Sequence, residues 1–368
     1  MRAAVWHAPG EPQTVEDVEL RPLGPHDLLV RITAASACVT DVIDSKPRAW
    51  PAGSPMIRGH GAAGVVEAIG AEVRVAVPGE RVILSATSYC GVCRLCAAGR
   101  PGQCVTIAAR VQDPHGRLAD RREVYCDANI GAFAEQAIVA ENQVVPIRAQ
   151  VSDEELAFLS IAGAAGVGAA QITAPVQPGS TVAVFGCGAT GLSYLLGAKL
   201  AGAERIIAVD PIASRRRLAR QLGATDVVDP AAGDVAAQFR EITPDLGGFQ
   251  GWGADFVYEA SADPKAVEDA YAVTRSGGHL VLASVPWDFT AEVRLPALWL
   301  GVGGKTIHSS QHGDIAIYRD FARFAGWIEQ GILDLKPLIT GRHGLEAIND
   351  CFADMEAFRT VGAIVTPG

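Results

Sequence analysis

The segment from Gly179 to Asp210 constrains the fold more than any other stretch of the 368-residue chain. A β-branched apolar run, Thr181 to Phe185, leads into a glycine-rich turn with the sequence GCGATG, and a helical pattern rich in leucine and alanine follows. A second apolar run, Arg205 to Val209, ends at Asp210. This order of strand, turn, helix and strand predicts a βαβ unit of a parallel sheet.

Three glycines in the turn have the spacing of a dinucleotide-binding loop. Gly186 permits a tight reversal, Gly188 lets a pyrophosphate approach the backbone, and Gly191 lets the helix pack close to the strand. The pyrophosphate would bind the free N–H groups at the helix start. Asp210 stands 24 residues after Gly186, close to the spacing at which a carboxylate accepts hydrogen bonds from the adenosine ribose.

An acid at the end of the second strand repels a 2′-phosphate, so Asp210 favours NAD over NADP as the cofactor. Arg215, Arg216 and Arg217 begin five residues later, and they leave NADP open. Arg215 is included among the cofactor-binding candidates. The arginine run as a whole is otherwise typical of a solvated helix face.

The composition describes an ordered globular protein with about two domains. Apolar residues make up 49% of the chain and charged residues 20%, and the net charge of −10 argues against nucleic acid or an anionic membrane as a partner. The N-terminus lacks the apolar core of a signal peptide. The uncharged stretch from Leu156 to Ala198 contains glycines, prolines and the βα turn, which exclude a membrane span. We expect a cytoplasmic protein that acts on a small molecule.

Short β-prone runs separated by turn residues fill the first 150 residues and predict a compact, mainly β domain. Its predicted strands include Asp27 to Ile32, Gly64 to Ile69, Glu80 to Leu84 and Gln143 to Ile147.

Alternating helix and strand patterns continue on both sides of Asp210 and predict a parallel sheet covered on both faces. A capping box at Ser152 begins a helix through Leu156 to Ala170. The later elements are predicted as helices Ser214 to Leu222, Pro264 to Thr274 (stopped by Gly277-Gly278), Ile315 to Gln330 and Leu345 to Met355, and strands Ala254 to Glu259, His279 to Ala283 and Ala363 to Thr366.

Four of the eight cysteines are clustered, namely Cys90, Cys93, Cys96 and Cys104. Their spacings of 3, 3 and 8 suit a closed Cys₄ site for one structural Zn²⁺. The alternative is a loop of unpaired thiols. Because the loop is rich in glycine and arginine and has little apolar material to order it, we favour zinc.

Three motifs together resemble the zinc-containing alcohol dehydrogenases of the medium-chain dehydrogenase/reductase superfamily. They are the GHGAAGVVE segment that begins at Gly59, the cysteine lobe, and the VFGCGATGL segment of the nucleotide fold. The resemblance extends over nearly the full length, from MRAAVWHAPG to VGAIVTPG.

The resemblance implies an α/β protein: a Rossmann doubly wound parallel sheet plus a mainly β GroES-like catalytic domain. Residues 1–158 and 309–368 would form the catalytic domain, with a zinc lobe at about 88–105, and residues 159–308 the NAD-binding domain. The insertion between Cys104 and Phe133 is similar to the longer members, which include the liver-type and glutathione-dependent formaldehyde dehydrogenases. Such members are commonly dimers, so we expect a homodimer that uses the apolar run Leu295 to Val302.

The resemblance also implies a catalytic zinc between the domains. Cys38 and His60 match two of its three protein ligands. The third position corresponds to Ile161, and the acid that usually follows the histidine is replaced by Gly61. Catalytic zinc ordinarily takes three protein ligands, so we expect a degenerate catalytic metal site. In it, Asp41 would orient His60.

Thr40 stands where the family has a hydroxyl that passes the substrate proton, whereas Ile43 replaces a histidine of the same relay. We therefore regard Cys38, Thr40 and His60 as the catalytic candidates, although a buried threonine bonded to backbone and a core histidine are alternatives. Four aromatic residues are candidates for an apolar pocket, a core or a subunit contact: Trp50, Phe133, Trp287 and Trp299.

Three functions follow from these observations. The first is an NAD(H)-dependent oxidoreductase of the alcohol dehydrogenase type that acts on an alcohol/carbonyl pair near Cys38, Thr40, His60 and Trp50. The second is a reductase of activated C=C or C=N bonds that needs no catalytic metal. The third is a catalytically silent nucleotide-binding protein.

Overall fold

The computed structural model describes residues 1–43, 55–88, 90–105, 113–284, 288 and 290–368. The strands within these ranges are β1 (Arg2–Trp6), β2 (Thr14–Leu20), β3 (Asp27–Ala37), β4 (Met56–Ile57), β5 (Ala62–Ile69), β6 (Arg81–Leu84), β7 (Gly116–Leu118), β8 (Glu123–Cys126), β9 (Gln136–Ala140), β10 (Val144–Pro146), β11 (Thr181–Phe185), β12 (Arg205–Val209), β13 (Asp226–Val228), β14 (Ala254–Glu259), β15 (Thr274–Leu282), β16 (Thr306–Ser309), β17 (Ile339–Gly344) and β18 (Gly362–Thr366).

The α-helices of the same ranges are α1 (Val39–Ile43), α2 (Arg94–Ala97), α3 (Asp153–Phe158), α4 (Ala164–Gly168), α5 (Ala189–Leu200), α6 (Ala213–Leu222), α7 (Val235–Ile242), α8 (Pro264–Val273), α9 (Ala297–Val302), α10 (Ile317–Glu329) and α11 (Ile348–Glu356). Single π-helical segments follow α3 and α4, at Leu159–Gly163 and Ala169–Thr173. The predicted start at the capping box of Ser152 is confirmed, and the helical segment continues past Ala170 to Thr173.

The chain forms two compact units. The first comprises Met1–Ala162 and Ala316–Gly368, and the second is the continuous segment Gly163–Ile315. Both junctions lie a few residues beyond the boundaries predicted from the sequence.

The first unit contains a small closed barrel and a seven-stranded sheet. The barrel has the order β1-β2-β7-β8-β4, and the sheet has the order β10-β6-β5-β3-β18-β17 with β9 also paired to β3. Alternate residues of β3, namely Leu28, Val30 and Ile32, are fully buried in the core, as expected for side chains two residues apart on a strand. The last strand, β18, pairs antiparallel with the end of β3.

The second unit is a six-stranded sheet in the order β13-β12-β11-β14-β15-β16, parallel throughout. All five residues of β11 are buried, as expected for a strand covered on both faces. This sheet confirms the predicted α/β nucleotide fold.

One prediction in this unit was wrong. Gly277 and Gly278 do not stop α8, which ends at Val273; the chain enters β15 directly at Thr274, and both glycines lie within that strand. The pairing of β14 with β15 shifts register between Ala254 and Phe256, so the glycines accommodate an irregularity of the sheet.

The helical segment Asp153–Thr173 is long and apolar enough to cross a membrane by length and composition alone. However, 78% of its most apolar window is buried inside the protein. Packing within the protein accounts for its apolar character.

Candidate functional site

The predicted dinucleotide loop connects β11 to α5. Gly186 has φ +84°, a conformation that favours glycine. A Cβ at Gly191 would lie 1.9 Å from the carbonyl oxygen of Gly186, whereas a Cβ at Gly188 would meet no atom within 4 Å. The loop is therefore closed where helix and strand pack together and open at Gly188, where a pyrophosphate would need to approach.

Asp210 follows the end of β12 and is 2% exposed. Its Oδ2 accepts the N–H of Cys187 at 2.8 Å, and its Oδ1 accepts the N–H of Ile212 at 2.7 Å. The carboxylate is thus fixed between the glycine loop and the start of α6. Each carboxylate oxygen can accept more than one hydrogen bond. Asp210 could therefore also accept a hydrogen bond from the ribose of a dinucleotide bound at the end of β12.

The three consecutive arginines near the start of α6 do not all lie on the solvated face that was predicted. Arg217 is exposed, and Arg215 is partly buried near the Cys187 thiol, which its charge influences. Arg216 donates to the carbonyl oxygen of Asp210 at 2.6 Å and pairs with Asp229 at 2.7 Å. That prediction was wrong for Arg216 because the side chain bridges two strand ends.

The four cysteines of the lobe converge as predicted. Their Sγ atoms all lie within 4.8 Å of one another, and those of Cys90 and Cys104 are 3.6 Å apart. Tetrahedral ligands about 2.3 Å from Zn²⁺ would be separated by about 3.8 Å. The backbone N–H groups of Cys93 and Cys96 point to the sulfurs of Cys90 and Cys93. Backbone hydrogen bonds, chiefly from Cys96 and then from Val105, lower the pKa of the Cys93 thiol to about 6. The residues fit a closed zinc site.

A second cluster lies where strands of the first unit end. Strands β4 and β8 run parallel, with Ile57 paired to Cys126. Their carboxyl ends therefore lie at one edge, which carries His60 after β4 and Asp127 after β8. The short helix α1, which follows β3, adds Thr40 and Asp41.

The His60 ring is held from two sides. Its Nδ1 is 2.9 Å from Asp127 Oδ2 and 3.2 Å from Asp41 Oδ1, and its Nε2 is 3.3 Å from the Thr40 hydroxyl. Asp41 is fully buried and also accepts the N–H groups of Cys38 at 2.7 Å and Gly59 at 3.2 Å. The structure thus places the Thr40 hydroxyl beside the His60 ring.

The same cluster satisfies the geometry of a group of metal ligands. Apart from the cysteine lobe, the described residues contain one group of three candidate ligand atoms within 4.8 Å of one another, contributed by Asp41, His60 and Asp127. Cys38 is not a member of that group. Sequence reasoning had identified Asp41 as a partner of His60 but had missed Asp127.

Two carboxylates determine the charge of His60. Burial disfavours the imidazolium, but Asp41 and Asp127 outweigh burial and raise the pKa of His60 well above 6.5. Burial also opposes ionisation of Asp127, yet the nearby charges of His60 and Arg58 lower its pKa below 3.8. The arrangement therefore favours an imidazolium between carboxylates.

The two positions that depart from the family pattern are in contact. Ile161 is 9% exposed. A Cβ at Gly61 would lie 2.2 Å from Ile161 Cγ1 and 2.4 Å from Ser160 Oγ. An apolar side chain therefore occupies the space beside the residue that follows His60.

The turn that carries Asp127 has a strained backbone. Ala128 and Asn129 have φ values of +48° and +59°. This region costs a residue such as alanine about 1–2 kcal/mol, whereas asparagine tolerates it, so the strain lies mainly at Ala128.

The predicted aromatic residues divide into three groups. Phe133 is fully buried in the core of the first unit, 6.0 Å from Phe352 between ring centroids. Trp299 packs partly buried against the core of the second unit. Trp50 and Trp287 lie outside the described residues.

Comparison with known proteins gives a consistent result. One family model, "Alcohol dehydrogenase GroES-like domain", matches residues 24–149, and another, "Zinc-binding dehydrogenase", matches residues 189–329. The S-(hydroxymethyl)glutathione dehydrogenase of Escherichia coli O1:K1 is 30% identical over 376 aligned positions, which cover 99% of each chain.

Two solved structures are similar over the whole chain. Benzyl alcohol dehydrogenase from Acinetobacter calcoaceticus has a TM-score of 0.91 at 29% identity, covering 100% of this chain and 99% of its own. A zinc-binding dehydrogenase from Sinorhizobium meliloti 1021, bound to NADP, has a TM-score of 0.80 at 28% identity with the same coverage. The resemblance inferred from the sequence is confirmed.

Proposed function

Because the chain belongs to the zinc-containing alcohol dehydrogenase family of the medium-chain dehydrogenase/reductase superfamily, we propose that it is an NAD(H)-dependent oxidoreductase acting on an alcohol/carbonyl pair. We further propose that its zinc is confined to the cysteine lobe. The observation that supports the proposed chemistry is the series of hydrogen bonds that joins Asp127, His60 and Thr40.

The choice of NAD(H) rests on two features of the nucleotide loop. Gly188 leaves space beside the backbone, and Asp210 puts a fixed negative charge at the end of β12. That charge would repel the 2′-phosphate of NADP. Bound NAD(H) supplies hydride transfer, and the chain's own residues orient the substrate and move the proton.

In carbonyl reduction, the Thr40 hydroxyl donates to the substrate oxygen as negative charge develops there. The substrate oxygen takes the Thr40 proton, and Thr40 regains a proton from Nε2 of the His60 imidazolium. His60 is left neutral, with Nδ1–H still donated to Asp41 and Asp127. One such donor typically contributes about 2.7–4 kcal/mol to transition-state stabilisation.

A catalytic zinc is not part of this proposal. Ile161 provides no ligand atom at the third position. Two ligands are too few for a tight site. In place of a Lewis acid, the Thr40 hydroxyl and the His60 imidazolium would stabilise the oxyanion.

Reduction of activated C=C or C=N bonds is the second candidate. The observation that favours it is the Gly61–Ile161 contact, in which an apolar side chain stands where the family has a metal ligand. A site without a metal as Lewis acid is better suited to activated double bonds than to simple alcohols. Such substrates need a proton donor but no stabilised alkoxide.

We also propose that the chain forms a homodimer through the sheet of the second unit. Strand β16 is the edge of that sheet. Leu298, Leu300, Val302 and Ile307 beside this edge are between 41% and 67% exposed. Exposed apolar groups next to a free strand edge are typical of an interface.

The test of the proposed function is oxidation of NADH and NADPH followed at 340 nm against a panel of aldehydes, ketones, enones and cyclic imines. We expect turnover with NADH and a kcat/KM reduced about 100- to 1,000-fold in Thr40→Val. Tight NADH binding with no turnover on any member of the panel would instead indicate a silent nucleotide-binding protein.

A further inference from the structure

We propose that Asp127 is a positioning residue for the reaction. Its carboxylate, presented by a strained turn, holds the His60 ring with Nδ1 directed at the acids and Nε2 at the Thr40 hydroxyl. This inference deepens the proposed function and depends on it for its catalytic consequence. The geometric part can be tested without any substrate.

The turn is held in place by groups outside it. Nε2 of Gln143, a residue 2% exposed, donates to the Ala128 carbonyl at 2.9 Å and to the Ser85 carbonyl at 3.0 Å. At the end of the turn Gly131 has φ +65°, and a Cβ there would lie 2.5 Å from Cys126 Sγ. The turn therefore has little freedom to adopt a relaxed conformation.

The same turn is attached to the segment that carries His60. Directly after Gly131, the N–H groups of Ala132 and Phe133 donate to the carbonyls of Gly59 at 2.9 Å and Arg58 at 3.1 Å. Asp127 and His60 thus share one hydrogen-bonded support. Their separation is set by backbone geometry rather than by two flexible side chains.

Asp127 is not redundant with Asp41. Oδ1 of Asp41 is shared between the Gly59 N–H and His60, both at 3.2 Å, and Oδ2 is occupied by the Cys38 N–H. Asp127 provides the shorter contact to His60, at 2.9 Å. Its side chain is 23% exposed, in contrast to the fully buried Asp41. Asp41 therefore organises the backbone around the ring, and Asp127 orients the ring.

Nuclear magnetic resonance of the full-length protein labelled with [¹⁵N]histidine tests this placement. The His60 ring signals are assigned by their loss in His60→Gln. We expect a protonated Nδ1 in the parent and a large change of both ring nitrogen shifts in Asp127→Asn and Asp127→Ala. The matched control is Asp120→Asn, which removes an exposed carboxylate bonded to Arg122 and is expected to leave the His60 signals unchanged.

Activity provides the second readout. With the best carbonyl of the panel, Asp127→Asn should lower kcat about 10- to 100-fold without changing the KM for NADH, since residues that orient a catalytic group typically have effects of this size. Unchanged His60 signals in both Asp127 variants, with thermal melting showing that they fold, would overturn the proposal. The proposal would also be overturned if the parent bound two zinc ions per chain and Asp127→Asn bound only one, because Asp127 would then be a metal ligand. An inactive parent contradicts the proposed function alone, since the resonance experiment still decides the position of Asp127.

Discussion

Ile161 occupies the space that a side chain at position 61 would need: a Cβ on Gly61 would lie 2.2 Å from Ile161 Cγ1. In the family pattern, position 61 carries an acid and position 161 a metal ligand. The absence of a side chain at position 61 and the isoleucine at position 161 are therefore linked, because Ile161 fills the space beside Gly61. A side chain at position 61 would clash with Ile161 unless position 161 changed as well.

Gly61→Ala should lower the free energy of unfolding by about 1–3 kcal/mol, the usual cost of overpacking a core. Ile161→Ala alone should cost about 2–5 kcal/mol through the cavity it leaves. The double variant should lose less than the sum of the two single losses, because the truncated side chain makes room for the new methyl group. Denaturant unfolding of the two single variants and the double variant measures this coupling. Gly344→Ala is the control, since a Cβ there meets no atom within 4 Å; additive effects at positions 61 and 161 would contradict the contact.

Freshly purified protein should contain about one zinc per chain, all of it in the cysteine lobe. Inductively coupled plasma mass spectrometry should find close to none in Cys90→Ser/Cys93→Ser. The control Cys351→Ala removes a buried thiol elsewhere in the first unit and should retain the metal. About two zinc ions in the parent would mean that a second site binds metal and would restore conventional alcohol dehydrogenase chemistry.

Two glycines of the nucleotide loop should respond in opposite ways to the same substitution. Gly188→Ala should weaken NADH binding tenfold or more without loss of stability, because its Cβ enters open space that the pyrophosphate would use. Gly191→Ala should lower the melting temperature, since its Cβ would lie 1.9 Å from the Gly186 carbonyl oxygen. Fluorescence titration with NADH and thermal melting distinguish the two. Unimpaired NADH binding by Gly188→Ala would argue against this loop as the cofactor site.

The His60–Asp127 pair should make a pH-dependent contribution to stability. The raised pKa of His60 gives a contribution that is complete below the unfolded value of about 6.5 and is lost as pH rises through the folded value. The lowered pKa of Asp127 gives a contribution that is present above about 3.8 and is lost as pH falls. The groups that face the pair are Asp41 and Arg58.

The difference in unfolding free energy between the parent and Asp127→Asn should therefore be largest at about pH 5 to 6 and should shrink in alkaline solution. Urea unfolding across this range measures it. A difference that does not vary with pH would mean that His60 is not charged in the folded protein.

Light scattering should give a particle of twice the chain mass, and Leu298→Glu should convert it to a monomer. Leu298 is 67% exposed on α9 beside the edge strand β16. Ile332→Glu is the control, because Ile332 is 50% exposed and belongs to the first unit. A monomeric parent would contradict the proposed dimer.

The local sequence patterns of apolar residues predicted the strands of the second unit closely. The strands Thr181–Phe185, Arg205–Val209 and Ala254–Glu259 have the predicted bounds, because a buried parallel strand is a continuous apolar run and needs no distant information. The cysteine lobe was equally accessible, since its four ligands are close in sequence.

Asp127 could not be found in this way. It lies 67 residues from His60 along the chain, and the two meet only because β4 and β8 pair in parallel. Its turn contains the ordinary turn residues Asn129 and Gly131, but a turn signal does not indicate which distant residue its acid will meet. An acid directly after the strand-like run EVYC was the one available indication.

The order of the two units along the chain has a consequence for biosynthesis. Gly163–Ile315 is continuous, so the ribosome completes it as one segment that can fold while synthesis proceeds. The strand that leads to Thr40 acquires its neighbour β18 only when residues 363–365 have been made. During translation the unit proposed to bind the nucleotide is therefore complete before the unit that carries Thr40 and His60, and premature termination would leave the first without a finished second.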